Sequence, residues 1–475
     1  MPRSLPSPRA FAEEGWTSFC RCPLDTEAAG AGRDGSLRLP FGSLALQRGV
    51  VVLRGAMVVV GLLSAISVAN GGRQLAAAAE GVDGETVAAE RVEGQTIAAE
   101  KVATETVAAP SGLAGPKPRA IEAPTPKQID EAIGRGIDFL LRRQNSDGSW
   151  GLPDMKRPYQ VTAPIPGAHH AFRAGTSALC ISALCEAGGD RPDVQKALDR
   201  AEQWACQVLP HLRRATPDVF YNSWGHIYSI AALLQLRARC GDDSAMLQRI
   251  EDVLKQQMEL LERYEVVDGG WAYYDFEIGT KKPAGSSISF VTGAALVSLD
   301  AAKKAGFQID RKTIDRAIES IHRQRKSDFS YCYGEYLKYN PMHPVNRPAG
   351  SLGRSQCCNL ALRLWGDEAV TDDVVRTWLD RLYARNGWLD IGRKRPIPHE
   401  SHFAIAGYFF YFGHYYGARC IELLPKEQRG PYQTQLARIL IDLQEKDGSW
   451  WDFPMYDYHQ QYGTAFALMS LVRCR

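Results

Sequence analysis

From Thr125 to the C-terminus, apolar residues recur at spacings of three and four, the mark of helices that bury one face. In "QIDEAIGRGIDFLLRRQ", Ile129, Ile133, Ile137 and Leu140 share one side, and Asp147-Gly148 then supplies turn chemistry. Comparable one-sided helices are predicted to begin near Lys127, Asp193, Asp243, Arg311, Asp372 and Lys426. Each is followed by a segment that is apolar or small on nearly every face, such as "GTSALCISALCEAG", "SFVTGAALVSLDAAKKAG" and "FAIAGYFFYFGHYYGARCI". A helix that is apolar all round has to be buried on all sides. Six amphipathic helices around six buried ones predict an all-α, (α/α)6 toroid over residues 126–475, with outer and inner helices alternating along the chain.

The connections are unequal. Inner-to-outer links are short ("GGDRP", "GDDS", "GFQIDR", "GDEAVT"). Outer-to-inner links are mostly long, over about Gly151–Ala171, Asp268–Ser286, Ser327–Ala349 and Gly387–His399. Long loops on one rim of a rigid scaffold are where sites concentrate, so the mouth formed by these loops is the expected site. The same rim presents the N-termini of the inner helices, whose free N–H groups favour anions.

The N-terminal part reads differently. Residues 1–46 are rich in Gly, Pro and Arg with no usable period, and are expected to be a disordered leader. Residues 47–70 place Arg48 and Arg54 before a short apolar run, Met57 to Ala69, that ends in small residues. That is the pattern of a secretory signal or an N-terminal membrane anchor, and it predicts an exported or cell-envelope protein. Residues 71–125 form a low-complexity linker. Thr86, Thr96 and Thr106 mark a ten-residue repeat with too few large apolar groups to fold, and a Pro-rich lead-in follows.

Composition narrows the function classes. The chain has 475 residues, of which 45% are hydrophobic and 23% charged, and a formal net charge of +2. That balance suits an ordinary globular domain and gives no basic stripe for nucleic acid. The 11 cysteines lie mostly inside apolar helical stretches without zinc-type spacing, as buried free thiols do.

Several outer helices end in a Gly–aromatic signature: "QNSDGSWG" (Gln144, Gly148, Trp150), "VVDGGWAYYDF" (Trp271), "ARNGWLDIG" (Trp388) and "QEKDGSWWDF" (Gln444, Gly448, Trp450), with "SDFSYCYG" as a degenerate copy. This resembles the QW repeats of squalene–hopene cyclases, in the superfamily of toroids that also holds the protein prenyltransferases. The resemblance implies an α/α toroid in which these Gln, Gly and Trp residues tie outer helices to the turns that follow. Gly can take the left-handed turn that stops a helix, and Trp can cover the helix end while its N–H finds a partner.

The family's reactions are harder to place. Such cyclases use a DxDD acid, which is absent; the pairs Asp242-Asp243 and Asp372-Asp373 open outer helices and read as caps. Prenyltransferase β-subunits hold zinc with an Asp-x-Cys pair and a later His. "DYHQQYGTAF", with Asp457, His459 and Tyr462, looks like the later half, but "GRSQCCNLAL", with Arg354 and Cys357, lacks the Asp. "HESHF" sets His399 and His402 three apart without a third ligand, so neither a metal nor a cofactor is expected.

Asp275, His402 and His459 are the candidates for proton transfer, and Asp390 and Asp452 stand in loops equivalent to that of Asp275. His226, Tyr228, Arg354, Tyr408, Phe412, Tyr415 and Tyr462 are the candidates to line a central funnel, where aromatic faces would meet an apolar ligand or simply pack as core. Three functions stay open: a toroid binding an apolar or extended ligand without DxDD-type cyclase activity, an isoprenoid-acting cyclase or transferase with another acid, and a polysaccharide-acting enzyme. The expected ligand is accordingly a lipid, an isoprenoid or a glycan. Nucleic acid is not expected, and membrane association would run through the N-terminal segment.

Overall fold

The computed structural model describes residues 115–154, 168–212, 222–273, 285–397, 399, 404 and 406–475. The chain divides into Met1–Met57 and Val58–Arg475, and the described residues all belong to the second unit. The leader, the apolar segment 47–70 and most of the linker lie outside them. Among the described residues, no helix is long and apolar enough to cross a membrane.

Among the described residues there are six outer helices: α1 (Pro126–Arg142), α3 (Pro192–Val208), α5 (Ser244–Arg263), α7 (Arg311–Gln324), α9 (Asp372–Ala384) and α12 (Lys426–Asp442). Six inner helices alternate with them: α2 (Ala168–Ala187), α4 (Asn222–Arg239), α6 (Ser289–Lys304), α8 (Pro348–Leu364), α11 (Phe409–Leu423) and α13 (His459–Leu471). The outer helices start where cap chemistry starts. Thr125 and Gln128 form a capping box before α1, Asp243 caps α5 and Asp310 caps α7. In the pair Asp372-Asp373 both residues sit in the first turn of α9, and Thr371 makes the cap.

The inner helices pack in the order α2, α4, α6, α8, α11, α13, and α13 packs back on α2. The inner wall is therefore a closed ring, with each outer helix seated on its outside. This is the (α/α)6 toroid that the alternation of one-sided and all-round apolar segments predicts.

The repeated turns hold the two walls together. The indole N–H groups of Trp150, Trp271 and Trp450 donate to the carbonyls of Leu140, Leu261 and Leu440 at 2.8, 2.7 and 2.7 Å, always ten residues back. Their backbone N–H groups donate to Ser177, Thr292 and Thr464 on the inner helix that follows. All three rings are fully buried. Gln144 and Gln444 reach the next outer helix, donating to the carbonyls of Ala197 and Ala132 at 2.8 and 2.9 Å. The second of these contacts ties α12 to α1 and closes the outer wall.

Gly148 and Gly448 have φ of +93° and +90°, and a Cβ there would overlap the carbonyl oxygens of Arg200 and Arg135 on the neighbouring outer helix. In the degenerate copy, Phe329 takes the left-handed position at φ +61° and Tyr331 fills the indole seat, bonding Asn359 at 2.7 Å.

Trp388 is a correction. "NGWLDIG" forms a short extra helix, α10 (Asn386–Gly392), in place of a turn, and Trp388 is 41% exposed. Gly387 is not among the left-handed glycines, so the chain never makes the reversal that would fold Trp388 back over its helix end. The inner helix after it starts at Phe409, six residues later than the apolar pattern suggests.

Candidate functional site

Aromatic side chains from the inner helices meet on the axis of the ring. Trp224 of α4 stacks on Tyr228 one turn along, with centroids 5.4 Å apart. Trp224 also reaches across to Phe412 of α11, on the opposite side of the inner wall, at 6.1 Å. Phe290 of α6 touches Trp224, Phe412 and Phe409 at 6.1, 5.7 and 5.0 Å. Further along, Phe466 of α13 lies against Phe412, Tyr228 and Tyr415 at 6.3, 5.9 and 5.2 Å. The axis is thus occupied by a column of rings, most of them edge-to-face or tilted, the arrangements their quadrupoles favour. Trp224, Tyr228, Tyr408 and Tyr415 are only partly buried.

The mouth carries a polar network built by the long loops. Tyr273 and Tyr333 share a hydroxyl–hydroxyl bond. Tyr333 lies 3.3 Å from the Tyr408 hydroxyl, and Tyr408 bonds His399 Nε2 at 2.7 Å. His399 Nδ1 faces the Ala404 carbonyl at 3.1 Å, so Nδ1 carries the proton and Nε2 accepts from Tyr408. Burial pushes the His399 pKa down to about 4, which keeps the ring neutral. Arg354 is fully buried beside this network, its guanidinium 5.4 and 5.3 Å from the rings of Tyr333 and Phe409.

A buried acid completes the mouth. Asp452 accepts from the Tyr462 hydroxyl at 2.6 Å and from the Tyr411 N–H at 3.0 Å. Burial raises its pKa to about 6, against the lowering effect of those hydrogen bonds. Phe453, next in sequence, packs edge-on against Tyr408 at 5.6 Å.

Of the residues singled out from the sequence, Tyr228, Phe412 and Tyr415 lie in the ring column, Arg354 and Tyr408 in the mouth network, and Tyr462 beside Asp452. Asp275 and His402 lie outside the described residues. His226 faces outward, because its Nδ1 bonds Gln257 of α5 at 2.8 Å and its ring stacks on Tyr264. His459 opens α13 with Nδ1 2.6 Å from the Tyr456 carbonyl and its ring edge-on to Trp451. Asp390 is held by Arg393 three residues on at 2.5 Å. Among the described residues, no three His, Cys, Asp or Glu side chains converge as a metal site would need.

Trp224, Phe290, Phe409 and Phe466 in the column, and Tyr273 and Tyr333 at the mouth, were not legible as site residues from periodicity. One signal does mark part of the mouth. Tyr273, Tyr333 and Asp452 each stand two residues beyond the buried aromatic of a repeated turn (Trp271, Tyr331, Trp450), so equivalent positions of three repeats supply three polar groups.

No protein-family model matches the chain. A squalene–hopene cyclase of Schizosaccharomyces japonicus is 34% identical over 76 residues, covering 14% of this chain and 12% of that protein's length. This local similarity is to a protein of the family that the repeated turns resemble, and it spans only about an eighth of that protein's length. Among solved structures, a type II terpene cyclase from Scytonema aligns with 73% of this chain and 98% of its own, at 17% identity and a TM-score of 0.41. An α-1,6-mannanase variant of Salegentibacter sp. aligns with 73% and 99%, at 11% identity and a TM-score of 0.45.

Proposed function

We propose that the toroid binds an apolar, extended ligand of the isoprenoid or lipid class along its axis, and that it does so as an exported or envelope-held protein. The observation that carries the reading is the unbroken run of ring contacts from Tyr333 through Phe409, Phe290, Trp224 and Phe412 to Phe466 and Tyr415. An unsaturated hydrocarbon chain is complementary to such faces and edges over its whole length. The rings fill the axis, so a ligand takes the place of some of their mutual contacts, beginning with the partly accessible Trp224–Tyr228 stack. The apolar run at 57–69 supports export or anchoring.

Titration of the whole chain with geranylgeraniol is expected to change the fluorescence of Trp224, read as the difference between the wild type and Trp224→Phe. Phe412→Ala should weaken binding about tenfold, the effect of losing one well-packed ring from a contact surface. Absence of any response, with binding of manno-oligosaccharides instead, would sink this reading in favour of a polysaccharide ligand.

A second reading, an isoprenoid-acting enzyme, has its own observation in Asp452. Its carboxyl is buried, holds its proton up to about pH 6 and sits beside the ring column through Tyr462, which contacts Phe466. A neutral acid in a dry, ring-lined site is a suitable proton donor to an alkene. Any turnover of an isoprenoid substrate by this route should rise as the pH falls through 6 and vanish in Asp452→Asn. Turnover that is flat across pH 5 to 8, or retained in the variant, excludes Asp452 as the acid.

A further inference from the structure

The ring column ends at the mouth on a cation that has no counter-ion among the described residues. Elsewhere in the domain buried or half-buried carboxylates answer the arginines: Glu265 pairs with Arg316, Glu335 with Arg323 and Asp457 with Arg143. Arg354 is more deeply buried than any of these arginines, with no exposed surface, yet its hydrogen bonds go only to the backbone carbonyls of Gly350, Val345 and Tyr331. Its Nε has no partner. A guanidinium cannot escape burial by losing its proton as a lysine can, and a buried charge is costly unless an opposite charge meets it. Three carbonyl dipoles and the faces of Tyr333 and Phe409 offset part of that cost, but none of them supplies a negative charge.

The groups around Arg354 are hydrogen-bond donors. Tyr273, Tyr333 and Tyr408 all interact with its charge, and their hydroxyls are strung on a short relay that ends on neutral His399. Burial holds the Tyr408 pKa up at about 12 and that of Tyr333 well above its ordinary value, so these hydroxyls keep their protons. Each phenol proton is already engaged along the relay, the last on His399 Nε2, so an anion beside Arg354 would be met by the guanidinium and would take the Tyr408 proton in place of His399; this group adjoins the apolar column through Phe409.

We infer that Arg354, with the hydroxyl of Tyr408, receives the singly charged anionic head group of an amphiphilic ligand whose apolar tail lies along the ring column. A carboxylate is the simplest such head. Lys326, the other cation near Arg354, is engaged by the Asn346 carbonyl at 2.9 Å, which leaves the Arg354 guanidinium to balance one negative charge; a diphosphate would leave excess charge buried. The inference rests on the reading of the axis as a binding channel and goes further by assigning the chemistry of the ligand's polar end.

The test compares three ligands of one chain length on the whole wild-type protein by calorimetry: geranylgeranoic acid in its ionised form, geranylgeraniol and geranylgeranyl diphosphate. The carboxylate is expected to bind about ten- to hundredfold more tightly than the alcohol, the margin of a charge-assisted hydrogen bond. It should also exceed the diphosphate. Tyr408→Phe should narrow the margin between acid and alcohol. Arg354→Met should abolish the margin, and Arg354→Lys, which keeps the charge if the Met variant does not fold, should restore part of it. Equal affinity for acid and alcohol overturns the head-group assignment and leaves the apolar channel standing. Tightest binding of the diphosphate overturns the single-charge argument. Failure of all three to bind overturns the channel reading, and this inference with it.

Discussion

Between about pH 7.5 and 5 the domain is expected to lose about 4 to 5 kcal/mol of stability, the loss at three buried histidines less a smaller gain at Asp452. His226, His399 and His414 are all held near pKa 4 by burial, against about 6.5 for the same side chain in an unfolded chain. Each is neutral in the fold with its Nδ1 proton placed by a carbonyl or amide oxygen, on Gln257, Ala404 and Phe410 respectively. Their stabilising contribution is whole above pH 6.5. It is lost as the pH falls toward 4, because unfolding then takes up three protons.

Each imidazole accounts for about 2 kcal/mol over that interval. Asp452 works in the opposite sense. Its folded pKa is raised to about 6, so its contribution is present at low pH and lost as the pH rises; on acidification it returns about 1 kcal/mol. Urea unfolding across the pH series measures the slope. His414→Leu, which removes a ring whose Nε2 has no partner, should reduce the drop by about 2 kcal/mol. A stability that is flat from pH 7.5 to 5 would mean that these rings are not buried as described.

Trp450→Ala is expected to cost about 4 to 5 kcal/mol, about a third or more of the stability of an ordinary domain. The indole is fully buried, donates to the Leu440 carbonyl, and lies against α1 where Gly136 leaves room for it, since a Cβ on Gly136 would come within 2.8 Å of the ring. Truncation opens a cavity at the seam between the last helix pair and the first, and removes the shorter of the two hydrogen bonds that the Leu440 carbonyl accepts. Trp388→Ala, at the exposed position on α10, should cost less than about 1 kcal/mol. Equal costs for the two would contradict the assignment of the repeated turns as the fastening of the ring.

The contrast between these two tryptophans shows what the sequence could and could not carry. The toroid was legible because its cause is periodic: one-sided helices alternate with all-round apolar ones, and only a double wall buries both. The turns were legible where Asp-Gly-Ser-Trp spells out the reversal, at Trp150 and Trp450. At Trp388 an Asn-Gly-Trp with the right aromatic spacing stayed helical, because local pattern does not fix φ. The axis was only partly legible. Phe412 and Tyr415 stood out in an aromatic run, but inner helices are apolar on every face, so nothing local marks which apolar residue points inward. Trp224, Phe290 and Phe466 become recognisable only when the ring closes. His226 misled for the same reason: a polar residue in an apolar helix suggests a site, whereas Gln257 on the adjacent outer helix was waiting for it.

The measurement that bears most directly on the central claim is native mass spectrometry of the whole protein purified from its own cells. The account predicts a bound apolar species, lost in Phe412→Ala while the variant retains its helical content. A polypeptide of plain mass that also fails to take up geranylgeraniol when it is offered would contradict it, and would leave the ring column as packing alone.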